Sequence, residues 1–225
     1  MRIGCAGWSL SSRVADRFPG SGSHLERYAH VFNAVEIDTS FYRPHRAATY
    51  ARWRESVPDD FRFAVKLPRT ITHEQKLAGI DGLLTEFLDG VHALGPKLGC
   101  LLVQLPPSLA FDDAVAMAFF ATLREATGAS LACEPRHRTW FTEAASGVMA
   151  SHGVSFVRAD PNPVGMPPPA GGTEMTYVRL HGSPVLYRSA YPDEVLDAEA
   201  EALHQSVHHG QTAWGVFDNT GQGEA

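Results

Sequence analysis

The stretch Phe61-Arg62-Phe63-Ala64-Val65-Lys66-Leu67-Pro68 decides the fold. Phe63, Val65 and Leu67 form an alternating apolar set, the period of a strand that lays one face against a packed layer. Lys66 falls on the opposite face. In a barrel the apolar set lies under the helices and the alternate residues point into the interior.

Working outward, seven more runs read the same way: Arg2–Trp8, Ala34–Phe41, Leu98–Pro106, Ser130–His137, Ser155–Asn162, Met175–Gly182 and Thr212–Asn219. Most of their starts lie about 25–37 residues apart, the length of a strand, a crossover helix and two turns. This alternation predicts parallel strands, and eight of them predict a TIM-type (β/α) barrel of the α/β class. No linker or repeat divides the chain, so residues 1–225 are expected to form one domain.

Helix signals fill the spacers. Ser23-His24-Leu25-Glu26 has capping-box form, and its helix is expected to run to about Phe32. Asp81 and Asp112 are expected N-caps, of helices ending at Gly95-Pro96 and Gly128. A segment from Trp140 ends at Gly153, and one from about Asp193 ends at His208, His209 and Gly210. Two units are irregular. Prolines at Pro161, Pro163 and Pro167-Pro168-Pro169, followed by Ala170-Gly171-Gly172, predict a loop in place of the helix between strands six and seven. The sequence ends soon after strand eight, so a closing helix is not expected there.

Composition narrows the function classes. With 44% hydrophobic and 20% charged residues, the chain can bury a large core. A net charge of −6 supplies no global basic field, which weighs against a general nucleic-acid or membrane-surface binder. MRIGCAGWSL lacks the pattern of a signal peptide, and no run approaches the roughly 20 apolar residues of a membrane span. Cys5, Cys100 and Cys133 have no CxxC spacing and read as buried free thiols. A cytoplasmic protein is expected, with no membrane partner and its oligomeric state left open.

Strand parity then selects the pocket. With Val35 and Ile37 outward, Glu36 and Asp38 face inward. Lys66 does the same, as do Gln104, Glu134, Arg136, Tyr177, Arg179 and His181. Asp160 ends its strand, and Asp218 or Asn219 ends the last one. Most of these groups lie near the C-terminal strand ends, where barrel active sites sit. So many ionisable groups either pair with one another, as Glu36–Lys66 and Glu134–Arg136 could, or bind a ligand.

The chain resembles the DUF72 (YecE-like) family of barrel proteins. The resemblance is carried by Gly7-Trp8-Ser9, by residues 32–43 around Glu36, Asp38 and Tyr42, and by residues 61–69 around Lys66 and Arg69. It continues through Ile71-Thr72-His73, Gln104-Leu105-Pro106-Pro107-Ser108, Glu134-Pro135-Arg136-His137 with Trp140-Phe141, Tyr177-Val178-Arg179-Leu180-His181-Gly182 and Asn219-Thr220. Two departures stand out: Cys5-Ala6 replaces the family's usual Thr-Ser, and the helix that follows the final Asn in the family is missing. The resemblance implies a looser kinship with barrels of the xylose isomerase and endonuclease IV type, which transfers no chemistry by itself.

These residues predict an enzyme acting by acid–base chemistry on a small anionic or sugar-like molecule. Glu36, Lys66, Glu134 and His181 are the expected catalytic residues. Trp8, Asp38, Tyr42, Arg69, His73, Gln104, Arg136, His137, Asp160, Arg179 and Asn219 are expected around the substrate. Lys66, Arg136 and Arg179 are the expected anion holders, Glu36 and Glu134 the proton-transfer groups, and His181 their orienting partner. No organic cofactor is expected. Glu36, Glu134, Asp160, His181 and His73 could supply a divalent metal, the less favoured alternative, because fixed cations stand among them.

Two other functions stay open. Arg43, His45, Arg46, Arg69, Arg136, His137 and Arg138 with Trp8, Tyr42, Trp140 and Phe141 could bind nucleic acid, including metal-assisted phosphodiester hydrolysis. A non-catalytic barrel holding a metabolite is the other.

Overall fold

The structure is a computed structural model that describes residues 1–169 and 174–225. Eight strands form its centre: β1 (Arg2–Cys5), β2 (Ala34–Ile37), β3 (Arg62–Lys66), β4 (Leu98–Gln104), β5 (Ser130–Glu134), β6 (Val154–Asp160), β7 (Met175–Leu180) and β8 (Thr212–Phe217). All pairings are parallel, in the order β1-β8-β7-β6-β5-β4-β3-β2. The expected barrel is present.

Closure between β1 and β2 is the thinnest seam. A single bridge joins Ala6 to Glu36, with Gly7 N–H donating to the Glu36 carbonyl at 2.9 Å. Below it the Tyr28 hydroxyl stands in for ladder bonds, accepting from Cys5 N–H (2.7 Å) and donating to the Ala34 carbonyl (2.9 Å). Gly4 permits this approach, because a Cβ there would stand 1.9 Å from the Ala34 oxygen.

Helices α1 (His24–Tyr28), α2 (Thr39–Tyr42), α3 (Ala47–Glu55), α4 (Asp81–Val91), α5 (Asp113–Ala126), α6 (Glu143–Ser151) and α7 (Asp193–His208) surround the strands. The Ser23–Glu26 capping box and the Asp112 cap are both formed. Three expectations need correction, and one helix, α3, was not expected. α1 stops at Tyr28, short of Phe32. Ile80 holds the N-cap position, and Asp81 is the first residue of α4. Trp140 closes a 3-10 turn, and α6 begins at Glu143 under a Thr142 cap. α3 has no side-chain cap, and no start signal in the sequence marks it.

Residues 161–169 carry neither helix nor strand, as the prolines predict, while 170–172 of that expected loop lie outside the described residues. β8 leads into one 3-10 turn, Thr220–Gln222. The strands also end earlier than the alternation suggests. Isolated parallel-type bonds extend the pattern past their ends, such as Leu67 N–H to Leu102 O and His181 N–H to Asp160 O. Side chains therefore keep alternating for a residue or two after the ladder stops.

Buried apolar side chains fill two layers. One packs strand exteriors such as Val35, Ile37, Val65 and Val103 against the helices, and the other fills the barrel interior. Cys5, Cys100 and Cys133 are free and buried, as expected. Among the described residues no helix is long and apolar enough to cross a membrane.

A buried lysine secures the end of α3. Lys97 Nζ donates to the carbonyl of Arg54 (2.9 Å), which the end of α3 leaves without a helical donor, and to that of Val57 (2.6 Å), just past the helix. Lys97→Met strands both and is expected to cost about 1–3 kcal/mol. Urea unfolding measures it, and an unchanged midpoint would contradict this capping role.

Candidate functional site

The barrel interior is graded from apolar to charged. Its floor holds Ala34, Ala64, Cys100, Leu102, Ala132, Val157, Met175, Tyr177, Trp214 and Val216. The alanines leave room for Tyr177 and Trp214, which stack at 5.7 Å and 16°. The next inward positions toward the C-terminal ends are Glu36, Lys66, Gln104, Glu134 and Arg179. Asp38, Arg136, His181 and Asp218 follow, just past the strands.

Hydrogen-bond accounting divides these groups into two layers. The lower layer is closed. Arg179, fully buried, grips Glu36 through Nε (3.1 Å to Oε2) and Nη2 (2.6 Å to Oε1). Its Nη1 donates to Glu134 Oε2 at 2.5 Å, and Nη2 also reaches Asp218 Oδ2 at 3.1 Å. The Tyr177 hydroxyl donates to Glu36 Oε2 at 2.7 Å. The fork geometry of the guanidinium lets one cation serve carboxylates from three other strands or strand ends.

The upper layer is open. Lys66 Nζ lies 3.5 Å from Asp38 Oδ1 and 4.6 Å from the Phe41 ring centroid. Among the described residues it makes no hydrogen bond, although Lys66 is only 8% exposed and an ammonium carries three donors. Asp38 Oδ1 is also without a hydrogen bond. Gln104 is buried, and its amide has no partner among the described residues. Arg136 donates to Glu134 Oε1 through Nε (3.0 Å), with Nη2 at 2.9 Å, and keeps part of its side chain exposed.

Electrostatics pull the two glutamates apart. Burial pushes the Glu36 carboxyl up against the attraction of Arg179, and Asp38 and Asp218 push the same way. Glu134 is equally buried, yet Arg179, His181 and Arg136 together hold it well below the usual carboxylate range. Glu36 is therefore the first of the two to take up a proton. Such divergence between paired carboxyls is how one site keeps an acid beside a base.

His181 bridges the layers, with Nδ1 2.9 Å from Asp218 Oδ2 and Nε2 3.3 Å from Glu134 Oε1. Burial disfavours its cation, but the Asp218 and Glu134 carboxylates outweigh that and raise its pKa above the ordinary 6.5. Stability contributed by this imidazolium is complete below about pH 6.5 and is lost as pH rises through the raised folded value. The urea-midpoint deficit of His181→Gln should accordingly be largest near pH 6 and shrink by pH 9. A deficit that grows with pH would overturn the charged state.

Several expected site residues lie elsewhere or serve locally. Glu36–Lys66 does not form as an ion pair, whereas Glu134–Arg136 does. Asp160 accepts from the Tyr191 hydroxyl at 2.9 Å and ties β6 to the segment after β7. Asn219 is buried and donates to the Ser189 carbonyl. Arg69 pairs with Glu74 at 3.2 Å, and the His137 ring meets Thr139 at 2.9 Å in the 3-10 turn. Trp140 and Phe141 are buried core residues, so neither offers a stacking face.

Tyr42 is 77% exposed, and Trp8 packs edge-on against Trp53 at 4.9 Å. Trp8 lines a mainly apolar cavity of about 740 Å³ that shares Asp38 with the ion cluster but lies beside it.

Of the two candidates at the end of the last strand, Asp218 and not Asn219 belongs to the cluster; extending the inward set Trp214 and Val216 by one step selects it. Tyr187, its ring 6.0 Å from His181, sits on an irregular loop with φ 65°, and no sequence period reaches it. Among the described residues, no group of three or more His, Cys, Asp or Glu is disposed to hold a metal ion.

An eight-stranded parallel barrel with an apolar floor and a mixed-charge mouth is a TIM-type barrel protein with its polar site at the strand C-termini. The chain belongs to the DUF72 family, described as "Protein of unknown function DUF72", which matches residues 2–225. It is 45% identical over 82 residues to "UPF0759 protein YecE" of Escherichia coli (strain K12), covering 36% of this chain and 30% of that protein. It is 27% identical over 168 residues to "UPF0759 protein YunF" of Bacillus subtilis (strain 168), covering 70% and 57%. The chain thus spans less than two thirds of either curated relative.

The fold is similar to a DUF72 family protein from Thermotoga maritima (TM-score 0.82, 24% identity, covering 100% of this chain and 94% of that one). A DUF72 family protein from Enterococcus faecalis is also similar (TM-score 0.78, 22% identity, covering 100% and 92%).

Proposed function

We propose that this barrel is an enzyme acting on a small substrate with an anionic or sugar-like group, by acid–base chemistry without an organic cofactor. One observation carries the reading: a nearly buried ammonium, Lys66, has three donors and no hydrogen-bond acceptor among the described residues. Its ion pair with Asp38, at 3.5 Å, is long and leaves the donors without a hydrogen bond, and an incoming oxyanion or hydroxyl supplies the acceptor that is missing. Arg136 completes the anion holder. Arg179 is withdrawn from that role, because its donors are committed to Glu36, Glu134 and Asp218.

The closed layer beneath acts as a rigid electrostatic base. It positions Asp38, Asp218 and His181 at the mouth, where protons can be exchanged with a bound molecule. Calorimetric titration with sulfate tests the anion holder, and turnover of small phosphorylated or carboxylated sugars tests the chemistry. Absence of sulfate binding overturns the site assignment. Tight binding of such a sugar without turnover of any overturns the enzymatic part.

A further inference from the structure

The turn after β3 holds a second histidine, prepared differently from His181. Thr70–Glu74 form one π-helical turn, in which Gln75 N–H donates to the Thr70 carbonyl at 2.9 Å. Such turns are rare and occur frequently at functional sites. His73 rides on it, half-buried, above a fully buried Thr72.

The Thr72 hydroxyl oxygen lies 2.8 Å from His73 Nδ1 and 3.3 Å from the Pro68 carbonyl oxygen. A hydroxyl has only one proton. Both contacts are hydrogen bonds at once when Thr72 donates to Pro68 and His73 donates its Nδ1–H to Thr72. That tautomer leaves a lone pair on Nε2, which has no hydrogen-bond partner among the described residues. Phe41 locates the ring: its centroid is 4.9 Å from that of His73, edge-on, and the same Phe41 ring faces Lys66 Nζ.

We propose that His73 is the base of this site, its Nε2 taking a proton from a substrate anchored through an anionic group on Lys66 and Arg136. The proposal rests on the functional reading above. In this step a C–H or O–H bond of the substrate breaks, the proton moves to Nε2, and the electron pair stays on the substrate. The two cations face the negative charge that develops.

The charges around the ring support the assignment. They come from Lys66 on β3, Arg136 after β5, and Arg69 and Glu74 on the turn itself. Burial, then Lys66, Arg136 and Arg69, push the imidazole below its ordinary 6.5, with Glu74 opposing. The lone pair is therefore free at neutral pH. An anion seated on Lys66 and Arg136 cancels two of those charges and makes Nε2 more basic once the substrate is in place.

Histidine NMR titration of the full chain tests this, with sulfate as a probe of fixed charge and His73→Asn to identify the signal among 11 histidines. The midpoint should lie below 6.5 without sulfate. Sulfate should raise it by about half a unit or more, and Lys66→Met should abolish that response. A midpoint at or above 6.5 overturns the assignment. So does an unmoved His73 when Lys66 and Arg136 signals respond to sulfate, an outcome that leaves the anion site standing. If none of the three responds, the anion site and the base fall together.

Discussion

Arg179→Met is expected to be the most destabilising single substitution among the charged residues of the barrel mouth. It removes the counter-charge of Glu36 and Glu134, whose side chains are 0% and 1% exposed, and one partner of Asp218. Breaking a buried pair from one side costs about 3–5 kcal/mol, because the other side keeps its desolvated charge. For a chain of this size each kcal/mol lowers Tm by about 2–4 °C, so a fall of about 6–20 °C is expected.

Acid should narrow the gap, since protonation removes the uncompensated charges as pH falls through the raised carboxyl values of the variant. Arg179→Lys should fall between, retaining a charge but not a fork that spans several carboxylates. Calorimetric melting at pH 8 and pH 5 measures all three states. A melting point for Arg179→Met within about 2 °C of the parent at pH 8 would show that the closed layer is not an energetic unit.

Lys66→Met is the functional counterpart, expected to abolish anion binding while sparing the fold. Methionine keeps a side chain of similar length against Phe41, and the pair with the partly exposed Asp38 is worth about 1 kcal/mol or less. Loss of a charged hydrogen-bonding partner from a desolvated site costs about 2–5 kcal/mol in binding, at least about 30-fold in Kd. Calorimetric titration with sulfate on both proteins reads this directly. Unchanged affinity in the variant would remove Lys66 from the site, and with it the observation on which the functional reading depends.

The two substitutions separate what a charged barrel mouth does for stability from what it does for ligands. Arg179 makes four hydrogen bonds to carboxylates, so its loss is expected to be felt in folding. Lys66 has no donor occupied by a hydrogen-bonded acceptor among the described residues, so on the proposed function its loss is expected to be felt in binding. Both residues look alike in sequence: a cation at an inward strand position between apolar neighbours.

That likeness shows where sequence reading stops. Period-2 alternation is a local property of extended backbone, so it placed Glu36, Lys66, Gln104, Glu134, Arg179 and His181 inside the barrel one strand at a time. It also held slightly beyond the strand ends, which is why Asp38 and Arg136 were found there. Which carboxylate meets which cation is set by the closed fold. Glu36 passes over Lys66, 30 positions away by number, for Arg179, 143 positions away.

That choice depends on the stagger of neighbouring strands and the depth of each side chain along the axis, quantities that exist only once the sheet has closed. Tyr187 belongs to the same limit: it stands on an irregular loop, where no period relates position in the chain to direction in space. His73, on a π-turn, was marked by the family resemblance and not by any period. Local alternation was enough to specify the barrel and most residues of its mouth; closure of the sheet decided which of them are held by one another and which keep donors without acceptors.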